Sequence, residues 1–332
     1  MSALESSVRE FDRTKAAGVK LLRDNEIDFD EWSMLDAETA KVRPASDWSQ
    51  DVIDHFSMPG DAQGAMLPWS ITHNRIRLRL GELSVWAGVN GHGKSMLLSH
   101  VTLDLMVRQS ETVCIASLEM RPLATLARMA RQATAQDTPG PREVRAFYAA
   151  LNERLWLYDQ QGTIRHDRML AVVRYAREHL GVNHFVIDSL MKCGINGDDY
   201  NVQKRFVDNL ATYARDSGLH IHLIAHSRKR ESEHKPMDKF DIKGASEITD
   251  LADNVFTLWR NKPKEEKLER GDIDDKVRTE PDAMLICDKQ RHGEWEGRIS
   301  LWFNRRAFQY TSKNTVQTFD YLSGKGESAR EQ

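Results

Sequence analysis

The 332-residue chain carries 47 Lys and Arg against 50 Asp and Glu, a formal net charge of −3. This balance argues against a protein that coats nucleic acid by bulk charge, although it allows a local basic patch. No stretch approaches the ~20 apolar residues of a membrane span, and the N-terminus lacks the pattern of a secretory signal. The three cysteines are too few and too scattered for a disulfide framework or a zinc ribbon. We therefore expect a cytoplasmic protein with no membrane partner.

The first 75 residues differ from the rest and are expected to form a helical arm and linker. Apolar residues recur near helical spacing across residues 4–24, and an acidic stretch containing Trp32 follows. Pro44, Pro59 and Pro68 then interrupt the sequence. The region is too short and too broken for a sizeable core of its own, so a disordered tail is the alternative.

From Gly81 onward, short apolar runs alternate with helical segments, in a domain that we place at residues 76–312. This alternation predicts an α/β fold with a mostly parallel twisted sheet covered on both faces. The last apolar runs follow one another without helices, which predicts antiparallel strands at the C-terminal end. The densely charged residues 261–282 are expected to form a solvated, mobile loop, and residues 313–332 a flexible tail.

The segment 88–95, with the sequence GVNGHGKS, fits the phosphate-binding pattern G-x-x-x-x-G-K-[ST]. It follows a predicted strand and opens a predicted helix, whose N-terminus adds partial positive charge; the alternative is an ordinary glycine-rich turn. Lys94 is expected to reach the β- and γ-phosphates, and Ser95 to bind Mg²⁺. The predicted nucleotide-binding residues here are Gly88, Asn90, Gly91, His92, Gly93, Lys94, Ser95 and Met96.

Two acidic residues follow predicted strands at the edge where ligands of open α/β sheets gather. Asp188 ends the apolar run 184–187 and would lie beside Ser95 and its Mg²⁺, unless it is only a turn residue. Segment 88–95, the P-loop, is followed by a predicted helix and then by a predicted strand. Glu119 comes at the end of that strand, where it could orient a water at the γ-phosphate. Its alternative role is that of a helix N-terminal residue stabilised by the helix dipole.

Six segments in this order resemble the helicase domain of DnaB-family replicative helicases, above all that of phage primase-helicases and mitochondrial Twinkle. The resemblance covers roughly residues 68–312. It implies a RecA-like P-loop ATPase that uses ATP or another NTP with Mg²⁺. It also implies a ring, usually a hexamer, that moves on single-stranded DNA and unwinds the duplex. The segments are residues 88–95, 117–120, 184–188, 224–227, 241–259 and 289–291.

The resemblance assigns catalytic roles residue by residue. Glu119 matches the glutamate that activates the attacking water, and Asp188 matches the magnesium-associated aspartate. His226 matches a γ-phosphate sensor, although by itself it reads as a polar residue at a strand end. Lys289 and Arg291 match the pair that enters the neighbouring subunit's active site, with Arg291 as the arginine finger.

The resemblance also implies binding residues for DNA and for the nucleotide base. The DNA-binding positions lie in a channel-lining loop, whose interleaved acids also fit a solvated loop, and in the segment after it. They are Arg228, Lys229, Arg230, Lys243, Gly244 and Ser246. Arg260 and Phe303 match the positions that sandwich the base. Alternatively, Arg260 is a surface residue at a strand end and Phe303 is a core residue.

Primase domains of phage relatives have no counterpart in this sequence, so primase activity is not expected. The arm is instead expected to dock onto a neighbouring subunit. A separate primase, polymerase or loader would then act as a partner beside single-stranded DNA and further copies of the chain. The sequence also allows two rival functions: a RecA-like recombinase, and a nucleotide-switched DNA-binding loader or scaffold.

Overall fold

One sheet of ten strands runs through the part of the chain that the computed structural model describes, which is residues 20–29, 46, 49–57, 64–195, 199–226, 245–271, 274–314 and 317–324. The strands are β1 (Lys20–Leu22), β2 (Leu83–Ala87), β3 (Val113–Ser117), β4 (Leu155–Tyr158), β5 (His184–Asp188), β6 (His220–Ile224), β7 (Asn254–Arg260), β8 (Ala283–Gln290), β9 (Gly297–Asn304) and β10 (Gln309–Thr311). The helices are α1 (Ser49–Ser57), α2 (Lys94–Arg108), α3 (Pro122–Thr134), α4 (Pro141–Ala150), α5 (His166–Glu178), α6 (Tyr200–Ser217), α7 (Ala245–Leu251), α8 (Lys262–Glu269) and α9 (Asp275–Thr279).

The strand order is β1-β4-β3-β5-β6-β2-β7-β8-β9-β10. The first seven strands of this order pair in parallel, and β8, β9 and β10 pair antiparallel. The predicted α/β class, with a mostly parallel sheet and antiparallel strands at its C-terminal end, is therefore confirmed. No helix in the described ranges is long and apolar enough to cross a membrane.

Both faces of the sheet are buried, which explains why its central strands read as continuous apolar runs. Along β3, Val113 and Ile115 belong to one apolar cluster, and Cys114 and Ala116 belong to the other. Helices α2, α3 and α4 contribute to the first cluster, while α5 and α6 contribute to the second. Parallel strands between two helical layers bring all their carboxyl ends to one edge, which positions the candidate site.

The end of the segment expected to be helical is a strand. Leu21 and Leu22 lie in β1, which pairs in parallel with β4 at the edge of the sheet. The two leucines are buried in opposite clusters. An edge strand with one side chain on each face needs period-two burial, so tertiary packing overrides the helical spacing seen in the sequence.

The charged segment 261–282, expected to be a mobile loop, contains the helices α8 and α9. Each helix begins with a capped N-terminus. The Asn261 side chain accepts a hydrogen bond from Lys264 N, and Asp274 accepts one from Val277 N. Pro263 lies in the first turn of α8, where its missing N–H costs nothing. These caps satisfy backbone N–H groups that would otherwise lack partners and so stabilise both helices.

Part of the segment assigned to the C-terminal tail packs on α2. Tyr321 is 6% exposed, and its backbone N–H donates to Ala133 O at 2.8 Å. The Tyr321 hydroxyl donates to Asp104 Oδ1 at 3.1 Å and lies 3.0 Å from His100 Nε2. Residues 317–324 are therefore part of the folded domain.

Three buried histidines meet on β5 and β6. His184 Nδ1 and His222 Nε2 are 3.1 Å apart. His220 Nε2 lies 2.9 Å from Ser84 Oγ, and Trp86 Nε1 donates to His222 Nδ1 at 3.2 Å. Burial lowers the pKa of His220 to about 4 and the pKa of the other two well below their usual range. The fold therefore holds these rings neutral.

These histidines should make the protein acid-sensitive. Their contribution to stability is complete above the unfolded-state pKa of about 6.5 and is lost as the pH falls below it, because the unfolded chain then binds more protons. Three such groups give a slope of up to about 4 kcal/mol per pH unit in the free energy of unfolding. Denaturant unfolding between pH 4 and 8 should show about one third less of this slope in His184→Gln. The exposed His179, changed to Gln, is the matched control, and an identical slope in both variants would contradict the account.

Candidate nucleotide-binding site

The P-loop connects β2 to α2 in the predicted strand–loop–helix context. Gly88 has a φ of 150°, and a Cβ on it would lie 2.5 Å from the Leu258 carbonyl oxygen. Gly93 has a φ of 88°, and a Cβ there would lie 2.5 Å from the Tyr310 hydroxyl. Both positions require glycine for space as well as for backbone conformation. Asn90 and Gly91 lie exposed at the tip of this loop.

Lys94 is buried at the start of α2. Its ammonium donates to the carbonyl oxygens of Gly88 at 2.8 Å and Val89 at 3.0 Å. Burial lowers the pKa of Lys94 to about 8, and the negative charges of Asp188 and Glu119 oppose that shift. Phosphate oxygens would supply the further negative charge that favours a protonated lysine in such a place.

Ser95 and Asp188 meet at the carboxyl edge of the sheet. The Ser95 hydroxyl hydrogen-bonds to the Asp188 carboxylate. Burial raises the pKa of Asp188, while this hydrogen bond and the charges of Arg128 and Lys94 oppose the rise. A hydroxyl and a carboxylate are hard oxygen ligands, and Mg²⁺ commonly uses one or two of them together with phosphate oxygens. The pair therefore fits a magnesium ion that arrives with a nucleotide.

Glu119 and His226 come together through Ser189. Ser117 of β3 pairs with Asp188 of β5, so the chain leaves both strands at the same level. Ser189 Oγ donates to Glu119 Oε1 at 3.1 Å and lies 3.1 Å from His226 Nε2. Glu119 Oε1 and His226 Nε2 are 3.7 Å apart. Sequence reasoning missed Ser189, whose only signal was its position directly after Asp188.

Arg128 is a second residue that sequence reasoning missed. It lies on α3, and together with Ser117 and Thr125 it lines a cavity of about 10 Å³ behind Ser95 and Asp188. Arg128 Nε, Ser117 Oγ and Thr125 Oγ1 are buried and have no hydrogen-bond partner within the described ranges. A cavity of this kind has room for about one water molecule. An arginine within an amphipathic helix carries no sequence signal for such a position.

A larger cavity of about 360 Å³ lies beside the P-loop. It is lined by Gly91, His92, Gly93 and Met96 of the P-loop region and by Arg260 and Phe303, the two residues that the resemblance assigns to the base. Arg260 is anchored there, because its Nε pairs with Glu265 Oε1 at 2.6 Å and its Nη1 donates to Gly91 O at 3.2 Å. His92 Nδ1 accepts from Arg260 N at 3.3 Å, so the buried imidazole joins the P-loop to β7.

Lys289 and Arg291 lie at the opposite edge of the sheet from their own P-loop. Lys289 pairs with Val255 in β7, and Arg291 N donates to Asp253 O at 2.8 Å. Asp253 N in turn donates to Leu83 O at the first residue of β2. Arg291 therefore lies level with Leu83, at the start of β2, whereas the P-loop follows Ala87, at its end. Four residues at 3.3 Å each, about 13 Å of strand, separate Leu83 from Ala87. The structure therefore does not bring the predicted finger to the nucleotide site of its own chain.

The predicted DNA contacts fall almost entirely outside the described residues. Arg228, Lys229, Arg230, Lys243 and Gly244 belong to the segment between β6 and α7 that is not described. Ser246 lies in α7.

The AAA domain family model matches residues 63–232, slightly more than half of the chain. The chain belongs to this family. Its P-loop, Glu119, Asp188 and His226 all lie within the matched range. The family assignment therefore covers the nucleotide-binding half of the candidate site and not Arg260, Lys289, Arg291 or Phe303.

The relatives of this AAA domain chain include helicases. The DNA helicase/primase of Enterobacteria phage T3 is 23% identical in an alignment of 206 residues, and the alignment covers 55% of this chain and 36% of that protein. A solved ATPase domain superposes with a TM-score of 0.64 at 15% identity, covering 81% of this chain and 99% of that domain. The solved structure of a DnaB-like replicative helicase, described with its interactions with primase, superposes with a TM-score of 0.63 at 16% identity. The superposition covers 81% of this chain and 68% of that one.

These relatives confirm the predicted resemblance to DnaB-family helicases and the RecA-like fold. The chain spans about a third of the length of the curated phage relative.

Proposed function

We propose that this protein is an ATP-dependent DNA helicase that forms a ring and translocates on single-stranded DNA. Its family, its helicase relatives and its P-loop support this proposal. One observation carries it further: Ser189 Oγ joins Glu119 to His226, the last described residue before the proposed DNA-binding loop. Glu119, proposed to activate water, is thus linked through Ser189 to His226, which lies two residues before Arg228, the first proposed DNA-binding residue.

The residues at the P-loop edge divide the chemistry of hydrolysis among them. Lys94 would hold the β- and γ-phosphates, and Glu119 would orient and deprotonate the attacking water. Ser95 and Asp188 would hold Mg²⁺, which would supply positive charge to the phosphates. Arg260 and Phe303 would hold the base of ATP or another NTP in the adjacent cavity.

The opposite placement of Arg291 supports an active site shared between subunits. A finger that cannot meet its own nucleotide can meet the nucleotide of the next copy in a head-to-tail ring, such as a hexamer, in which each interface joins two different surfaces. Arg291 and Lys289 would then stabilise the charge that develops on the γ-phosphate during hydrolysis.

DNA contact is proposed for Arg228, Lys229, Arg230, Lys243, Gly244 and Ser246, through phosphates rather than base edges. Of the N-terminal arm, helix α1 would dock onto a neighbouring subunit, and the exposure of its Val52 and Ile53 supports this role. A separate primase, polymerase or loader would act with the ring in the cytoplasm of a bacterial or phage-infected cell.

A fork-unwinding assay with either a 5′ or a 3′ single-stranded tail tests the proposal. The protein with ATP and Mg²⁺ should separate forks that carry one of the two tails, and single-stranded DNA should stimulate ATP turnover. Lys94→Ala should unwind neither fork, because it removes the cation that holds the phosphates. Turnover without separation of either fork, in rings shown by microscopy to encircle DNA, would contradict helicase function.

A further inference from the structure

Arg291 is anchored by a buried aspartate. Asp253 lies between α7 and β7, and its side chain is 4% exposed. One carboxylate oxygen lies 2.9 Å from Arg291 Nε, and the other accepts from Leu83 N at 2.9 Å. The Arg291 side chain remains 39% exposed. The guanidinium is thus fixed at one side and still reachable from outside the chain.

The last turn of α7 accepts hydrogen bonds from both Lys289 and Arg291. Lys289 Nζ donates to Thr249 O at 2.8 Å and to Asp250 O at 3.0 Å. Arg291 Nη2 donates to Asp250 O at 3.2 Å. Carbonyl oxygens at a helix C-terminus lack intrahelical partners and carry partial negative charge, so they are favourable acceptors for both side chains.

Helix α7 begins at Ala245, directly after Lys243 and Gly244. Its N-terminal end therefore adjoins the proposed DNA-binding segment, and its C-terminal end holds the proposed finger pair. A shift of this seven-residue helix would move the anchors of Lys289 and Arg291.

We propose that Asp253, together with the C-terminal end of α7, positions Arg291 for hydrolysis at the neighbouring subunit's nucleotide. Asp253 is a positioning residue, since it acts through Arg291 and not on the nucleotide. This inference rests on the proposed function, in which Arg291 acts in trans. The competing explanation is structural: Asp253 would support β2, and hence its own P-loop, through Leu83 N.

The variant Asp253→Asn separates the two roles. Its amide oxygen still accepts from Leu83 N, but the charge that pairs with Arg291 is gone. We expect kcat to fall about ten- to a hundredfold, as for a misplaced catalytic group, with KM and the thermal unfolding midpoint close to those of the parent. Asp208→Asn, the same change at an exposed site on α6, should keep the parent rate. Parent turnover in Asp253→Asn would overturn the positioning role.

Mixed rings locate the defect. If Asp253 acts through Arg291, then Asp253→Asn chains mixed with Glu119→Gln chains regain turnover, because some interfaces combine an intact P-loop side with an intact finger side. Mixed with Arg291→Ala chains they regain none. A defect in the P-loop of the same chain predicts the reverse pattern, which would overturn the proposal.

The mixture of Glu119→Gln with Arg291→Ala is the reference. No rescue in this reference overturns the shared site of the proposed function. Rescue in the reference, together with the reversed pattern for Asp253, overturns only the positioning role.

Discussion

Replacing Glu119 by Gln should abolish most ATP turnover and leave nucleotide binding intact. The amide cannot take a proton from the attacking water, and loss of a positioned base typically costs 10²–10⁴ in rate. Binding survives because Lys94 and the P-loop amides hold the phosphates without Glu119. A fluorescent ATP analogue should therefore bind with the parent affinity, while single-turnover hydrolysis slows by at least about a hundredfold.

The matched control for this change is Glu153→Gln, which alters an exposed glutamate between α4 and β4. It should hydrolyse ATP at the parent rate. If Glu119→Gln hydrolysed ATP at the parent rate, Glu119 would not be the catalytic base. Its role would then be limited to its hydrogen bond with Ser189.

Replacing Arg291 by Ala should lower turnover by about 10³–10⁵-fold, the usual effect of losing an arginine finger. Ground-state binding of ATP should be almost unchanged, because the lost interaction forms only as charge develops in the transition state. Arg291→Lys should recover only part of the rate, since an ammonium lacks the fork of the guanidinium. Arg145→Ala on α4, an exposed arginine, is the control, and equal losses in ATP affinity and turnover would contradict a finger role.

The sequence predicts the fold and one side of the candidate site well. The P-loop, segment 88–95, and the buried strands that end at Ser117 and Asp188 can be recognised from short stretches of sequence, because both have strong residue patterns. Glu119 and Asp188 lie at the same edge of the sheet for the same reason, since neighbouring parallel strands end there.

Other features depend on tertiary packing that no local pattern shows. Ser189 has the same appearance as any residue after a strand, and Arg128 reads as a helix surface residue. Leu21 and Leu22 become a strand only because an open sheet edge is available. The helices α8 and α9 lack an apolar stripe and are stabilised by the caps from Asn261 and Asp274 and by the ion pair between Lys264 and Asp282, so charge density alone predicted a loop.

The most direct test of the central claim, an active site shared between subunits, is turnover in rings mixed from Arg291→Ala and Glu119→Gln chains. Each chain alone should be inactive. In random equal mixtures of a head-to-tail ring, about a quarter of the interfaces join an intact Glu119 to an intact Arg291. The account predicts that ATP turnover returns in such mixtures, measured without DNA so that sequential firing around the ring does not conceal it. Turnover that stays at the level of the single variants, in rings shown by microscopy to contain both chains, would contradict the shared site.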